Sequence, residues 1–170
     1  MTAQEMDTII IGGEAHYLAC EPLEQCWKRR GRERPRFVAP HSACWRGYSS
    51  TWELVDGRLY LRDISGTIAE PGQAGHAATL GELFPGEPAP VFADWFTGTL
   101  RVPGGELLES EHMGYESVWS RERQFDLVQG QVTAERVGDP PPSERELRRR
   151  RMEKLLLKHR TGAEQPDGER

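Results

Sequence analysis

The dipeptide Asp56-Gly57 sits between two short alternating segments, Thr51-Trp52-Glu53-Leu54-Val55 and Arg58-Leu59-Tyr60-Leu61-Arg62. A two-residue type I′ turn needs φ > 0 at both central positions, and Asp-Gly accepts that conformation readily. With this loop, Val55 faces Arg58, Leu54 faces Leu59, Glu53 faces Tyr60 and Trp52 faces Leu61. Side chains alternate faces along a strand, so Trp52, Leu54, Leu59 and Leu61 share an apolar face. Thr51, Glu53, Arg58, Tyr60 and Arg62 share the polar one.

Three further stretches repeat this logic. Thr8–Ile11 turns at Gly12-Gly13 into Glu14–Leu18. Ala93–Val102 turns at Pro103-Gly104-Gly105 into Glu106–Tyr115. Val118–Val128 turns at Gln129-Gly130 into Gln131–Val137, which sets Phe125 against Ala134 and Leu127 against Val132. About eight strands joined as hairpins predict a mainly β chain, an antiparallel barrel or sandwich. The barrel is preferred because closure removes exposed edges. Residues 21–43 and 65–90 read as loops rich in Gly, Pro and charge, with a helical turn near Leu23–Lys28 and a short helix at Leu80–Phe84.

The predicted β domain spans residues 1–138, and Pro140-Pro141-Pro142 makes 139–142 a stiff linker. Ser143 and Glu146 form a capping box that opens a basic amphipathic helix over 143–161. Residues 162–170 form a disordered tail. Met152, Leu155 and Leu156 share one stripe of that helix, a surface suited to a protein partner's groove, and with Arg148, Arg149, Arg150 and Arg151 they form the expected partner-binding set.

Charge is strongly segregated. The net charge is −5, yet residues 28–36 carry +5 and residues 143–160 carry +5, which leaves −15 (−5 less +10) for the rest. The basic segments either attract a polyanion or fold against the acidic body. Arg29, Arg30, Arg32 and Arg34 are the nucleic-acid candidates of the first segment, and Arg148, Arg149, Arg150 and Arg151 those of the second. No apolar run approaches the ~20 residues of a membrane span, and the N-terminus lacks the shape of a signal peptide. Three cysteines, an odd number, argue against a disulfide framework. A cytoplasmic protein without membrane attachment is expected.

Chemistry-bearing residues concentrate in the third hairpin. A two-residue loop at Gly104-Gly105 sets Glu109 opposite Leu100 and Glu111 opposite Gly98, on one face, with His112 on the other. Such a carboxylate pair, with Arg46 and Asp94, is the candidate for a small hydrolase. The alternative is a carboxylate paired with Arg46 or Arg101. Cys20, Cys26, His41 and Cys44 carry zinc-type ligands, but C-x5-C is wider than the usual knuckle. Cys20 and Cys44 are expected in strands as small core residues, and Trp45 and Trp95 in strands as packing residues. No nucleophile elbow, P-loop or dinucleotide fingerprint occurs, so no cofactor is expected.

The run Ala43-Cys44-Trp45-Arg46-Gly47-Tyr48, the first hairpin, Leu83-Phe84, Phe92–Gly98, Arg101, Pro103 and His112-Met113-Gly114-Tyr115 together resemble a widespread, uncharacterised group of small bacterial proteins. The resemblance covers about residues 8–137 and excludes the basic loop and the tail. It implies that Arg46, Asp94, Trp95, His112 and Tyr115 belong to a recurring pattern, and it carries no activity. The context it implies is an accessory or regulatory subunit, as in bacterial immunity or phage-defence systems. A non-enzymatic protein-binding function is therefore the primary expectation, with the hydrolase and the nucleic-acid binder as alternatives.

Overall fold

The computed structural model describes residues 3–109, 118–138 and 147–153. Three hairpins form at their glycine-bearing turns. β1 (Asp7–Ile11) and β2 (Glu14–Leu18) pair antiparallel with Ile11 opposite Glu14. β3 (Tyr48–Val55) and β4 (Arg58–Ile68) pair from Val55 opposite Arg58 to Trp52 opposite Leu61, the predicted register. Beyond Trp52 a bulge resets the ladder so that Thr51 meets Asp63. Trp52, Leu59 and Leu61 are fully buried, while Leu54, near the hairpin end, is half-buried. Asp56 and Gly57 both adopt positive φ, as the turn requires.

The short strand β5 (His76–Ala77) interrupts the second expected loop, and β6 (Val91–Phe92) follows directly on its end. The C-terminal part of the sheet comprises β7 (Gly98–Glu109), β8 (Val118–Val128) and β9 (Gln131–Gly138). β8 and β9 turn at Gln129-Gly130, and Leu127 lies opposite Val132 as expected. A bulge after Leu127 then sets Phe125 against Glu135, which corrects the expected Ala134 partner.

The strands form one path, β2-β1-β3-β4-β9-β8-β7, with β5 and β6 added to β4. This corrects the antiparallel barrel. Among the described residues the sheet holds nine strands, seven of them on the path; β1 runs parallel to β3, and the sheet does not close. Parallel neighbours need a crossover of a dozen or more residues, here residues 12–47, and local turn signals do not reveal such a pair. The two ends of the path approach where the Ala19 N–H donates to the Arg101 carbonyl at 2.8 Å, just beyond β2.

The third hairpin is also corrected. Pro103-Gly104-Gly105 is no turn; it lies within β7, where Pro103 faces Glu122 and Gly104 faces Arg121 of β8. Proline is tolerated inside a strand when that strand is an edge, and β7 ends the path. Trp95 and Trp45 lie in turns rather than strands, and Cys20 and Cys44 likewise lie outside the ladders.

The helices cover the sheet's buried face. α1 (Pro22–Arg29) begins on proline at its first turn and buries Leu23, Cys26 and Trp27. α2 (Leu80–Leu83) is capped by Thr79, whose hydroxyl accepts from the Glu82 N–H at 3.2 Å. Ile9, Leu18, Leu23, Trp52, Phe84, Trp95, Leu100 and Phe125 meet in one core. Separately, residues 147–153 are helical and exposed throughout. Among the described residues no helix is long and apolar enough to cross a membrane.

Candidate functional site

Arg46 sits at the centre of a buried polar network. Asp7 shares a face with Ile9 at the head of β1, so strand alternation carries its carboxylate into the core, where it is 0% exposed. Arg46 Nη2 donates to Asp7 Oδ1 at 2.6 Å, and its Nε and Nη1 donate to the carbonyls of Tyr48 at 2.7 Å and Glu5 at 2.8 Å. Ser50 gives Asp7 its amide N–H at 2.8 Å and its hydroxyl at 2.6 Å, and that hydroxyl accepts from Trp52 Nε1 at 2.8 Å. Burial pushes the Asp7 carboxyl up, and Arg46 and Ser50 oppose it. The network ties the N-terminal strand to β3 and to the 44–47 turn. It is a structural clamp with every arm engaged.

The first basic segment folds against the acidic body. Arg30 pairs with Glu87 and with Asp94 at 2.8 Å, and its guanidinium lies over the rings of Trp95 and Phe84 at 4.8 and 5.5 Å. Arg34 holds Glu24 at 3.1 Å and the Arg46 carbonyl at 2.7 Å. Arg32 donates to the Leu83 carbonyl at 2.7 Å. Cation–π contact and paired carboxylates fix these side chains to the protein's own surface. Arg29, the fourth candidate, is exposed and makes no ion pair among the described residues.

Of the hydrolase candidates whose side chains are described, Arg46 and Asp94 lie in separate ion-paired clusters. Arg46 belongs to the Asp7 clamp and Asp94 to Arg30, while Arg101 pairs with the buried Glu122 at 2.8 Å. Glu109 is opposite Val118 rather than Leu100, because β7 runs through the expected turn. Glu111 and His112 lie outside the described residues, as do residues 139–142, Leu155, Leu156 and 162–170.

Cys20, Cys26 and Cys44 are free thiols, and among the described residues no three His, Cys, Asp or Glu side chains are placed to hold a metal ion. Burial pushes the Cys20 thiol up to about 12 and the Cys26 thiol up to about 11. Cys44 donates to the Tyr48 carbonyl at 3.3 Å.

Among the described residues, two surfaces offer room for another molecule. The first is the side of β9 turned away from β8, which meets β4 at a single pair, Arg58 with Gln131. Past that point β9 has no strand on its far side among the described residues, and Val137 is 67% exposed. The second is a cleft of about 450 Å³ between residues 38–44 and the adjoining ends of β3 and β4.

Residues that sequence reasoning passed over include Asp7 and Ser50. Asp7 alternates in phase with Ile9 and Ile11, and Ser50 with Trp52 and Leu54, so a search for polar residues in apolar phase finds both. Ser49, Ser65 and Thr67 in the cleft carry no such signal; only the fold brings them together. Comparison with protein-family models, curated proteins and solved structures finds nothing that matches this chain.

Proposed function

We propose that the chain is a non-enzymatic protein-binding subunit that receives a partner strand along the open edge of β9. The observation that carries this reading is the single-pair contact between β9 and β4. It leaves residues 133–138 with main-chain groups on one side unclaimed by a neighbouring strand among those described. An unpaired edge is a template for strand addition, in which main-chain hydrogen bonds give affinity and alternate side chains give selectivity.

Charge placement favours a different chain over a second copy. An antiparallel pairing of β9 with itself about a central two-fold axis sets Glu135 against Glu135 or Arg136 against Arg136. Like charges directly opposite are destabilising. In the isolated chain these residues are held by β8, Glu135 by Arg123 at 2.9 Å and Arg136 by Asp126.

The test is affinity capture from source cells after nuclease treatment, using the full chain and Val137→Lys. An exposed lysine on an edge strand blunts pairing, and surface changes cost folding under about 0.5 kcal/mol. A stoichiometric protein retained by the parent and lost by Val137→Lys supports the reading. Equal capture by both, or none by either, refutes it.

A second reading, nucleic-acid binding, is favoured by the exposure of Arg148–Arg151 on the helical segment 147–153. It predicts retained material that nuclease removes and a steep loss of binding between low and moderate salt.

A further inference from the structure

The cleft beside residues 38–44 has a composition that selects a ligand class. Its floor is a ladder of hydroxyls: Ser49 of β3 lies directly opposite Ser65 of β4, and Thr67 follows on the same face two residues along. Among the described residues, none of these three hydroxyls has an intramolecular hydrogen bond. Glu5 and His41 stand at the rim with Oε1 and Nε2 3.6 Å apart. Val38, 46% exposed, supplies an apolar wall. Among the described residues no lysine or arginine lines the space.

The cleft is also rigidly built. The Val38 N–H donates to the Thr67 carbonyl at 2.8 Å, which fixes the wall to the floor. Gly66 approaches so closely that a Cβ there would lie 2.8 Å from the Gly47 carbonyl oxygen, and Gly47 has φ +81°. Sites shaped before the ligand arrives avoid the ordering cost of binding.

We propose that this cleft binds a neutral polyhydroxylated ligand, a saccharide unit. A sugar hydroxyl both donates and accepts, as do the three uncommitted hydroxyls and, between them, Glu5 and His41. The C–H face of a pyranose matches the Val38 wall. With a carboxylate present and no lysine or arginine among the described lining residues, phosphate and carboxylate ligands meet repulsion. The cleft volume lies within the usual range for small-molecule sites. The inference is independent of strand docking on β9, because the two surfaces share no residue.

The test is isothermal titration of the full chain with the methyl glycosides of glucose, galactose, mannose and N-acetylglucosamine, beside glucose 6-phosphate and cadaverine. At least one neutral glycoside is expected to saturate in the millimolar range or tighter, with Ser65→Val and Glu5→Gln each weakening it about tenfold. Ser65 is an exposed strand position where valine is well tolerated, and Glu5 lies outside the strands, so circular dichroism is expected to show both variants folded. Failure of every glycoside to saturate overturns the proposal. So does saturation indifferent to both substitutions, or binding of cadaverine or glucose 6-phosphate in place of the neutral sugars.

Discussion

Replacing Arg46 by alanine tests the buried clamp most sharply. The substitution removes the guanidinium from Asp7, which is fully buried, and frees two main-chain carbonyls that Arg46 also serves. Two Ser50 donors remain on the carboxylate and do not neutralise it. Breaking one partner from a buried ion pair costs about 3–5 kcal/mol because the other charge stays behind. With a urea dependence of about 2 kcal/mol/M, the unfolding midpoint falls by roughly 1.5–2.5 M.

The pH dependence follows from linkage. Burial already raises the Asp7 carboxyl, and Arg46 is the largest influence opposing that rise. Without Arg46 the folded-state value stands further above the unfolded one. A carboxyl raised in this way contributes stability below its unfolded value, and that contribution is lost as pH climbs through the folded value. The deficit of Arg46→Ala is therefore smaller at pH 5 than at pH 7. Pairing Arg46→Met with Asp7→Asn restores part of the loss, with a coupling of about 1–3 kcal/mol. Equilibrium urea unfolding at both pH values reads all of this. A loss under about 1 kcal/mol, or a deficit larger at pH 5, means that Arg46 does not compensate a buried Asp7 carboxylate.

Three other outcomes are expected. Trp52→Ala removes a fully buried ring and the donor to Ser50, and lowers stability by about 3–5 kcal/mol in the same urea assay. At pH 8 in native buffer, the raised thiols of Cys20 and Cys26 leave both unlabelled by Ellman's reagent, while denaturant releases all three cysteines; rapid native labelling of either contradicts their placement. Gly130→Ala forces a side chain onto φ +76° and a Cβ to 2.5 Å from the Ala93 carbonyl oxygen, so it costs about 1–3 kcal/mol by thermal unfolding.

The sequence disclosed pairings made across short turns. Gly12-Gly13, Asp56-Gly57 and Gln129-Gly130 each announce a local reversal, and each forms one. Pro103-Gly104-Gly105 has the composition of a turn but sits in an edge strand, where a missing N–H and missing side chains are tolerated. The distinction depends on what lies beside β7, which the local sequence does not encode. The parallel contact of β1 with β3 escaped for a related reason, since it joins segments separated by β2, α1 and a loop. Among site residues, Arg46 was legible as a conspicuous charge beside two aromatics, but its partner Asp7 lies far away in the chain at a separation of 39 residues. The arginines of the basic segment illustrate the converse. Their charge was plain, and only the fold reveals that Glu24, Glu87 and Asp94 already hold them.

Strand docking on β9 is tested most directly by a photoreactive amino acid placed at position 137, with position 62 of β4 as the control. Both sites are exposed, and only the first lies on the open edge. Irradiation in source cells is predicted to give one discrete protein adduct from position 137 and none of that mass from position 62. No adduct at 137, or the same adduct at both, means that no partner strand docks along β9.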